Sequence, residues 1–324
     1  MANDSAQTGT AGPGRLQIGL MMRSGDHLVP GAGRVVPWSE LKEIAIAAEE
    51  VGVDTLFAPD HLIFRKHGSF DVPEGESRGC WEVWTLLSAI ASITSRVTLG
   101  PFVACTGFRE PALLAKMADT LDEVSGGRVL LGLGAGYHEP EYTAFGYPFD
   151  HLASRFEEAL QIILPLLRGE TVTFHGKYYN VTDCVLHPHG PRPGGPPIWI
   201  GARQPRMMRL IAKYADAYNT VGHADPESVA GQFAMLDEAC EAVGRDPSTV
   251  QKTIASFVAY PGADQDPGGI HPNSISGTPE EVAERFRTLH QFGVGHITLF
   301  ASPWGVKAVE HLGETIRHLR AMGI

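Results

Sequence analysis

The sequence predicts an α/β protein folded as a (β/α)8 TIM barrel, with an insertion region between strands four and five. Three observations carry this. Eight short apolar runs, none leaving room for a polar helical face, alternate with eight amphipathic stretches at helical spacing. Such alternation demands a parallel sheet covered by helices, because each strand–helix–strand crossover is right-handed. A chain of 324 residues is also a length that barrels routinely fill as one unit. Eight repeats favour closure; the rival arrangement is an open, doubly wound sheet.

The first strand is residues 16–22, apolar and followed by Gly/Pro-rich sequence, as for a strand buried on both faces. Ser39 stands at the N-cap position of the first helix, where Leu41, Ile44, Ala45, Ala48 and Val51 recur until Gly52. Residues 55–58 form strand two, and 81–94 a helix with Trp84, Leu87 and Ala91 on one stripe. Strand three spans 97–103. Helix three spans 110–124 and is expected to turn Leu113, Leu114, Met117, Leu121 and Val124 inward. Strand four is 129–133. The next helix, 151–167, carries Phe156, Leu160, Ile163, Leu164 and Leu167, with Pro165 expected to kink its last turn.

Residues 169–197 break the rhythm and are the insertion: 171–179 alternate like a hairpin, and 188–197 are rich in proline and glycine. Strands at 198–201, 217–221, 253–259 and 296–300 then alternate with helices at 206–215, 226–243, 279–292 and 306–321. Residues 1–14 read as a flexible N-terminal tail and 15–324 as one barrel domain.

Composition narrows the function. Hydrophobic residues make up 43% and charged residues 19%, which suits a globular core. A formal charge of −11 repels phosphate backbones and anionic membranes, so no nucleic acid and no membrane partner is expected. No apolar run approaches the roughly 20 residues of a membrane span. Cys80, Cys105, Cys184 and Cys240 are scattered, with no C-x-x-C pair, which argues against a disulfide framework or thiolate zinc site and points to a cytoplasmic protein.

In a barrel the strand C-terminal ends build the active face. Asp60-His61 follows strand two, where an aspartate beside a histidine can set the imidazole tautomer and poise it for proton transfer. Strand three leaves through Gly100-Pro101-Phe102-Val103-Ala104-Cys105-Thr106-Gly107, whose glycine and proline mark a bulge or a close backbone approach.

Strand four leaves through Gly132-Leu133-Gly134-Ala135-Gly136-Tyr137-His138-Glu139-Pro140-Glu141-Tyr142. It is no dinucleotide fingerprint, because the third glycine is displaced and Pro140 is expected to interrupt any immediate helix. Tyr142 also replaces the second histidine of the zinc motif H-E-x-x-H, so no metal is expected there. What this segment offers is a small-residue exit that a planar ring can approach, with His138 and Tyr142 as donors. After strand five, Gly201-Ala202-Arg203 leads into a helix whose first amides suit a phosphate.

Taken together these segments resemble the bacterial luciferase-like monooxygenase family, whose enzymes use FMN or the deazaflavin coenzyme F420. The likeness is carried by Ala58-Pro59-Asp60-His61, by Trp84-Thr85-Leu86-Leu87 leading to Thr94-Ser95-Arg96-Val97, and by Leu121 through Ser125-Gly126-Gly127-Arg128 to Gly132-Leu133-Gly134-Ala135-Gly136. Glu141-Tyr142, Phe145-Gly146 and Pro196-Pro197-Ile198-Trp199-Ile200-Gly201 extend it.

The resemblance implies a flavin- or deazaflavin-dependent oxidoreductase, performing hydride transfer or oxygen activation on a small organic substrate, as a homodimer. It places His61 near the reactive ring edge with Asp60 orienting it. The ring then rests against a non-prolyl cis bulge at Phe102-Val103, with Val103, Ala104, Thr106, Gly134, Ala135, Gly136, His138 and Tyr142 as cofactor contacts, and Gly201, Ala202 and Arg203 hold the phosphate. Arg65, Lys66 and His67 favour the anionic tail of F420. Tyr137 stands where the family's sugar-phosphate dehydrogenases carry an acid, which counts against glucose 6-phosphate chemistry, and Ala135 where luciferase has arginine, so the phosphate contacts of that branch do not transfer and nothing supports light emission. The alternatives are a non-catalytic cofactor carrier on the same barrel and, more remotely, a metal-assisted hydrolase.

Overall fold

A computed structural model describes residues 14–26, 35–68, 72–265 and 270–324. The expected N-terminal tail therefore falls almost wholly outside the described residues. In chain order the elements are β1 (Gln17–Met21), α1 (Trp38–Val51), β2 (Thr55–Ala58), α2 (Val83–Ala91), β3 (Thr98–Pro101), β4 (Ala104–Cys105), α3 (Pro111–Ser125), β5 (Leu131–Gly134), α4 (Glu139–Phe145) and α5 (Leu152–Leu167). The hairpin β6 (Val172–His175) and β7 (Asn180–Cys184) follows. Then come β8 (Ile198–Gly201), α6 (Pro205–Tyr214), β9 (Ala217–Val221), α7 (Pro226–Ala242), β10 (Gln251–Ala259), β11 (Ile275–Ser276), α8 (Pro279–Gln291), β12 (His296–Ser302) and α9 (Val306–Ala321).

The sheet runs β3-β2-β1-β12-β10-β9-β8-β5-β4, every pairing parallel. Its two ends are one strand. β3 and β4 are consecutive and interrupted at the cis peptide Phe102-Val103, and a further parallel bridge joins Leu99 to Val129. The barrel thus closes with eight strand positions, the third split so that its first half pairs β2 and its second half pairs β5. The open-sheet alternative is ruled out.

Several local expectations need correction. α1 begins at Trp38 with Pro37 at the cap position, so Ser39 lies inside the first turn and caps nothing. α2 is shorter than its apolar pattern because Glu82 caps it, accepting from the amides of Trp84 at 3.2 Å and Thr85 at 2.7 Å. α3 buries the stripe Leu114, Ala115, Ala118, Leu121 and Asp122; Leu113 and Val124 lie on another face and are about half exposed. The inserted hairpin extends to Cys184, beyond the alternating stretch that predicted it. α4 forms despite Pro140, because a proline in the first turn sacrifices no intrahelical bond.

Most of the apolar core lies between the strands and the outer helices. A second, separate cluster fills the barrel: Met21, Phe57, Leu130, Trp199 and Ala217, with half-buried Phe102 and Phe300 resting on it. Phe57 is its hub, with ring centroids 5.0 Å from Phe102, 5.6 Å from Trp199 and 5.8 Å from His296. Alternation along the strands puts these residues on the inward face, so the barrel is plugged from end to end.

At the N-terminal end of the plug, His296 bonds Thr55 Oγ1 through Nε2 at 3.2 Å. Burial holds its imidazole down at about 3. The unfolded chain, with a histidine near the ordinary value of about 6.5, takes up a proton that the folded chain refuses. Stability from this group is therefore full above pH 6.5 and is lost as the pH falls toward 3, at up to about 1.4 kcal/mol per pH unit. Urea denaturation between pH 4.5 and 7 is expected to show a steeper acid limb in the wild type than in His296→Gln. Equal slopes would assign acid sensitivity elsewhere.

Candidate active site

The strand ends gather around the loop after β2. His61 is half-buried there, and its Nδ1 lies 3.0 Å from Glu141 Oε1 and 3.3 Å from Oε2. Glu141, on α4, is 1% exposed and also accepts the Leu62 amide at 2.9 Å. A carboxylate that accepts on both oxygens leaves the hydrogen on Nδ1 and fixes the tautomer. Nε2 then faces the Tyr137 hydroxyl at 3.2 Å.

Asp60 does not do what its neighbourhood in sequence suggests. Its carboxylate takes a forked pair of bonds from Arg109, at 2.7 and 3.1 Å, and a third from the Cys105 amide at 2.9 Å. Burial pushes the Asp60 carboxyl up, opposed by Arg109 and the Cys105 amide. Arg109, which burial alone would lower, is instead held above its ordinary value by Asp60 and Glu82. The pair ties the β2 loop to the segment after β4. The residue that orients His61 is Glu141.

The glycines of the β5 exit have a local explanation. A Cβ at Gly134 would lie 2.7 Å from Val103 Cγ2, and one at Gly132 would strike Pro101 O. Gly136, at φ 81°, faces the Tyr142 hydroxyl inside contact distance. Tyr142 is fully buried, donates to Ala135 O at 2.9 Å and meets Cys105 Sγ at 2.9 Å. Burial pushes the Cys105 thiol up to about 12, so it is no nucleophile at neutral pH. Thr106 is buried and donates to Gly134 O at 3.2 Å. His138 is also buried; its Nε2 accepts the Arg65 amide at 3.3 Å, and burial holds its imidazole below the ordinary value.

Gly201 differs from the glycines of the β5 exit, because a Cβ there would meet only Asn219 O, at an ordinary 3.5 Å. The protein's own packing does not need that glycine, so its bareness leaves room at the mouth. α6 starts at Pro205 with no side-chain cap from Gln204, and Arg203 donates to Val221 O.

Most of the expected residues thus fall into one bonded cluster: 60, 61, 103–106, 134–136, 138 and 142. Residues 201–203 sit on the neighbouring strand, Ile200 pairing with Leu133 of β5. The side chains of Ala104, Thr106, His138 and Tyr142 are buried. Arg109 and Glu141, given no role from the sequence, and Tyr137, noted there only as standing in place of an acid, make hydrogen bonds within this cluster. Glu141 was visible within the Glu141-Tyr142 match but carried no signal of its partner.

An imidazole held by a buried carboxylate at the C-terminal mouth of a parallel barrel is an arrangement able to take up or release a proton there. The chain belongs to the luciferase-like monooxygenase family, whose model matches residues 15–267. It is 33% identical over 227 residues to the F420-dependent glucose-6-phosphate dehydrogenase of Microbacterium testaceum, covering 68% of this chain and 64% of that protein. It is 26% identical over 352 residues to the 5,10-methylenetetrahydromethanopterin reductase of Archaeoglobus fulgidus, covering 91% and 98%.

Among solved structures, an F420-dependent secondary alcohol dehydrogenase superposes with a TM-score of 0.76 at 19% identity, over 94% of this chain and 99% of that one. The coenzyme F420-dependent tetrahydromethanopterin reductase of Methanopyrus kandleri gives 0.75 at 19%, over 94% and 99%. At such identities the likeness speaks for the fold.

Proposed function

We propose that the chain is an F420-dependent oxidoreductase acting on a small organic substrate, with FMN as the alternative cofactor. The observation that carries this is the Glu141–His61 pair, a tautomer-fixed imidazole at the mouth of the plugged barrel. Half-buried Phe102, Val103, Phe257 and Phe300 give the mouth an apolar floor that suits a flat ring system. Bare Gly201 and the uncapped start of α6 suit its phosphate. The fit to a ring-plus-phosphate cofactor is therefore good.

When bound, such a cofactor supplies a centre that gives or accepts hydride. Val103, Ala135 and Gly136 line the wall of the ring site, while Ala104, Thr106, Gly134, His138 and Tyr142 hold that wall in place from behind. Arg203, with Gly201 and Ala202, faces the phosphate. His61 moves the proton. Lys66 pairs with Glu74 at 3.5 Å on the surface, and an exposed pair of that kind is weak enough to yield to an anionic tail.

Titration with F420 and with FMN, followed by absorbance, is expected to give tight F420 binding and weaker FMN binding. Tight FMN binding alone would transfer the assignment to FMN, and binding of neither would remove the reading. A non-catalytic carrier is the rival. It has no use for an oriented imidazole, and rapid-mixing detection of hydride transfer separates the two.

The homodimer and the cytoplasmic location belong to the same proposal. Leu113 and Val124, about half exposed on α3, offer apolar area for a second copy. Four free thiols suit a reducing compartment, and no helix among the described residues is long and apolar enough to cross a membrane.

A further inference from the structure

Three side chains form one line of hydrogen bonds from the core to the rim: Glu141, His61 and Tyr137. Glu141 is 1% exposed, His61 is half-buried and Tyr137 is 62% exposed. With the hydrogen fixed on Nδ1, His61 Nε2 is an acceptor and the Tyr137 hydroxyl donates to it. The two rings meet edge to face, with centroids 5.5 Å apart. Tyr137 is thus the exposed end of this line.

We propose that Tyr137 is a catalytic proton-relay residue that contacts the substrate oxygen directly. This rests on the oxidoreductase reading above. With an alcohol as substrate and an oxidised deazaflavin bound, the carbinol C–H bond would break and its hydride, with both electrons, would pass to the deazaflavin. The alcohol proton moves to the Tyr137 oxygen as the Tyr137 proton moves to His61 Nε2, and the carbon–oxygen bond becomes a carbonyl. The imidazolium so formed lies against the Glu141 carboxylate. Ketone reduction is the reverse.

The surroundings suit such a relay. Desolvation around the hydroxyl, then the Glu141 carboxylate, push the Tyr137 phenol up to about 12, so it keeps its proton at neutral pH. Of the other titratable groups near His61, Asp60 is engaged by Arg109, and His138, lowered by burial, is neutral. His67 stacks edge-on against His138 at 5.7 Å.

Tyr137→Phe tests the relay in two ways. In protein without cofactor, the ¹⁵N resonance of His61 Nε2 is expected to move toward that of an acceptor without a donor. In single turnovers at saturating F420 with a panel of secondary alcohols and ketones, the rate is expected to fall by about 10²-fold, with F420 affinity kept within twofold. Rates in mixed H₂O and D₂O are expected to curve for the wild type, with two protons in flight, and to become linear for the variant.

An unmoved Nε2 resonance, or a rate within threefold of wild type, overturns the proposal. So does a variant that loses affinity yet turns over normally at saturation, which would mark a binding role. So does wild-type protein that binds F420 but turns over no alcohol or ketone. Binding of neither cofactor removes the functional reading and the relay with it; the NMR result tells that outcome from failure of the relay alone.

Discussion

His61→Ala is expected to lower the rate of hydride transfer by about 10²–10⁴-fold, the usual range for losing a positioned acid–base group, while cofactor affinity changes by less than threefold. The reason is geometric. Nδ1 faces Glu141 and Nε2 faces Tyr137, so both ring nitrogens are engaged by side chains, and under the proposed function they serve proton transfer rather than hold a ligand. Equilibrium titration and single-turnover kinetics on the same preparation separate the two quantities. A fall in affinity with an unchanged rate would make His61 a binding residue. Glu141→Gln keeps the shape of the partner but frees the ring to take either tautomer, so it should give an intermediate loss.

Arg109→Ala is expected to be the most destabilising single change near the site, by about 3–5 kcal/mol, because it strands a buried carboxylate without its cation. The Asp60 side chain is 1% exposed, and after the loss its bond from the Cys105 amide cannot replace a forked guanidinium. Denaturant titration measures the cost. The double variant Asp60→Asn with Arg109→Met should recover most of it, since an amide still accepts from Cys105 and carries no charge. A single variant within 1 kcal/mol of wild type would mean that the pair contributes nothing net.

The barrel was legible because each strand is buried on both faces and each helix on one, which writes two different periods into the chain. What failed were judgements that depend on a partner elsewhere. Leu113 and Val124 carry the apolar signature of a core position, yet α3 has room to bury only one stripe. Pro140 reads as a breaker, yet it sits in the first turn of α4, where proline is at home. Asp60 adjoins His61 in the chain, but successive residues at a strand end point to opposite sides, so each finds its partner across the mouth: Asp60 on Arg109, His61 on Glu141. The glycines of the β5 exit were correctly singled out, although the bulge at Val103 and the ring of Tyr142 account for them as much as any ligand does.

Among the described residues the aromatic filling around Phe57 occupies the inside of the barrel, so under the proposed function both guests enter through the mouth. Two guests using one doorway must queue: whichever rests deepest arrives first and departs last. A cofactor lying on the Phe102 and Phe300 floor would then be in place before any substrate settled above it, and visiting molecules would come and go over its outer face alone.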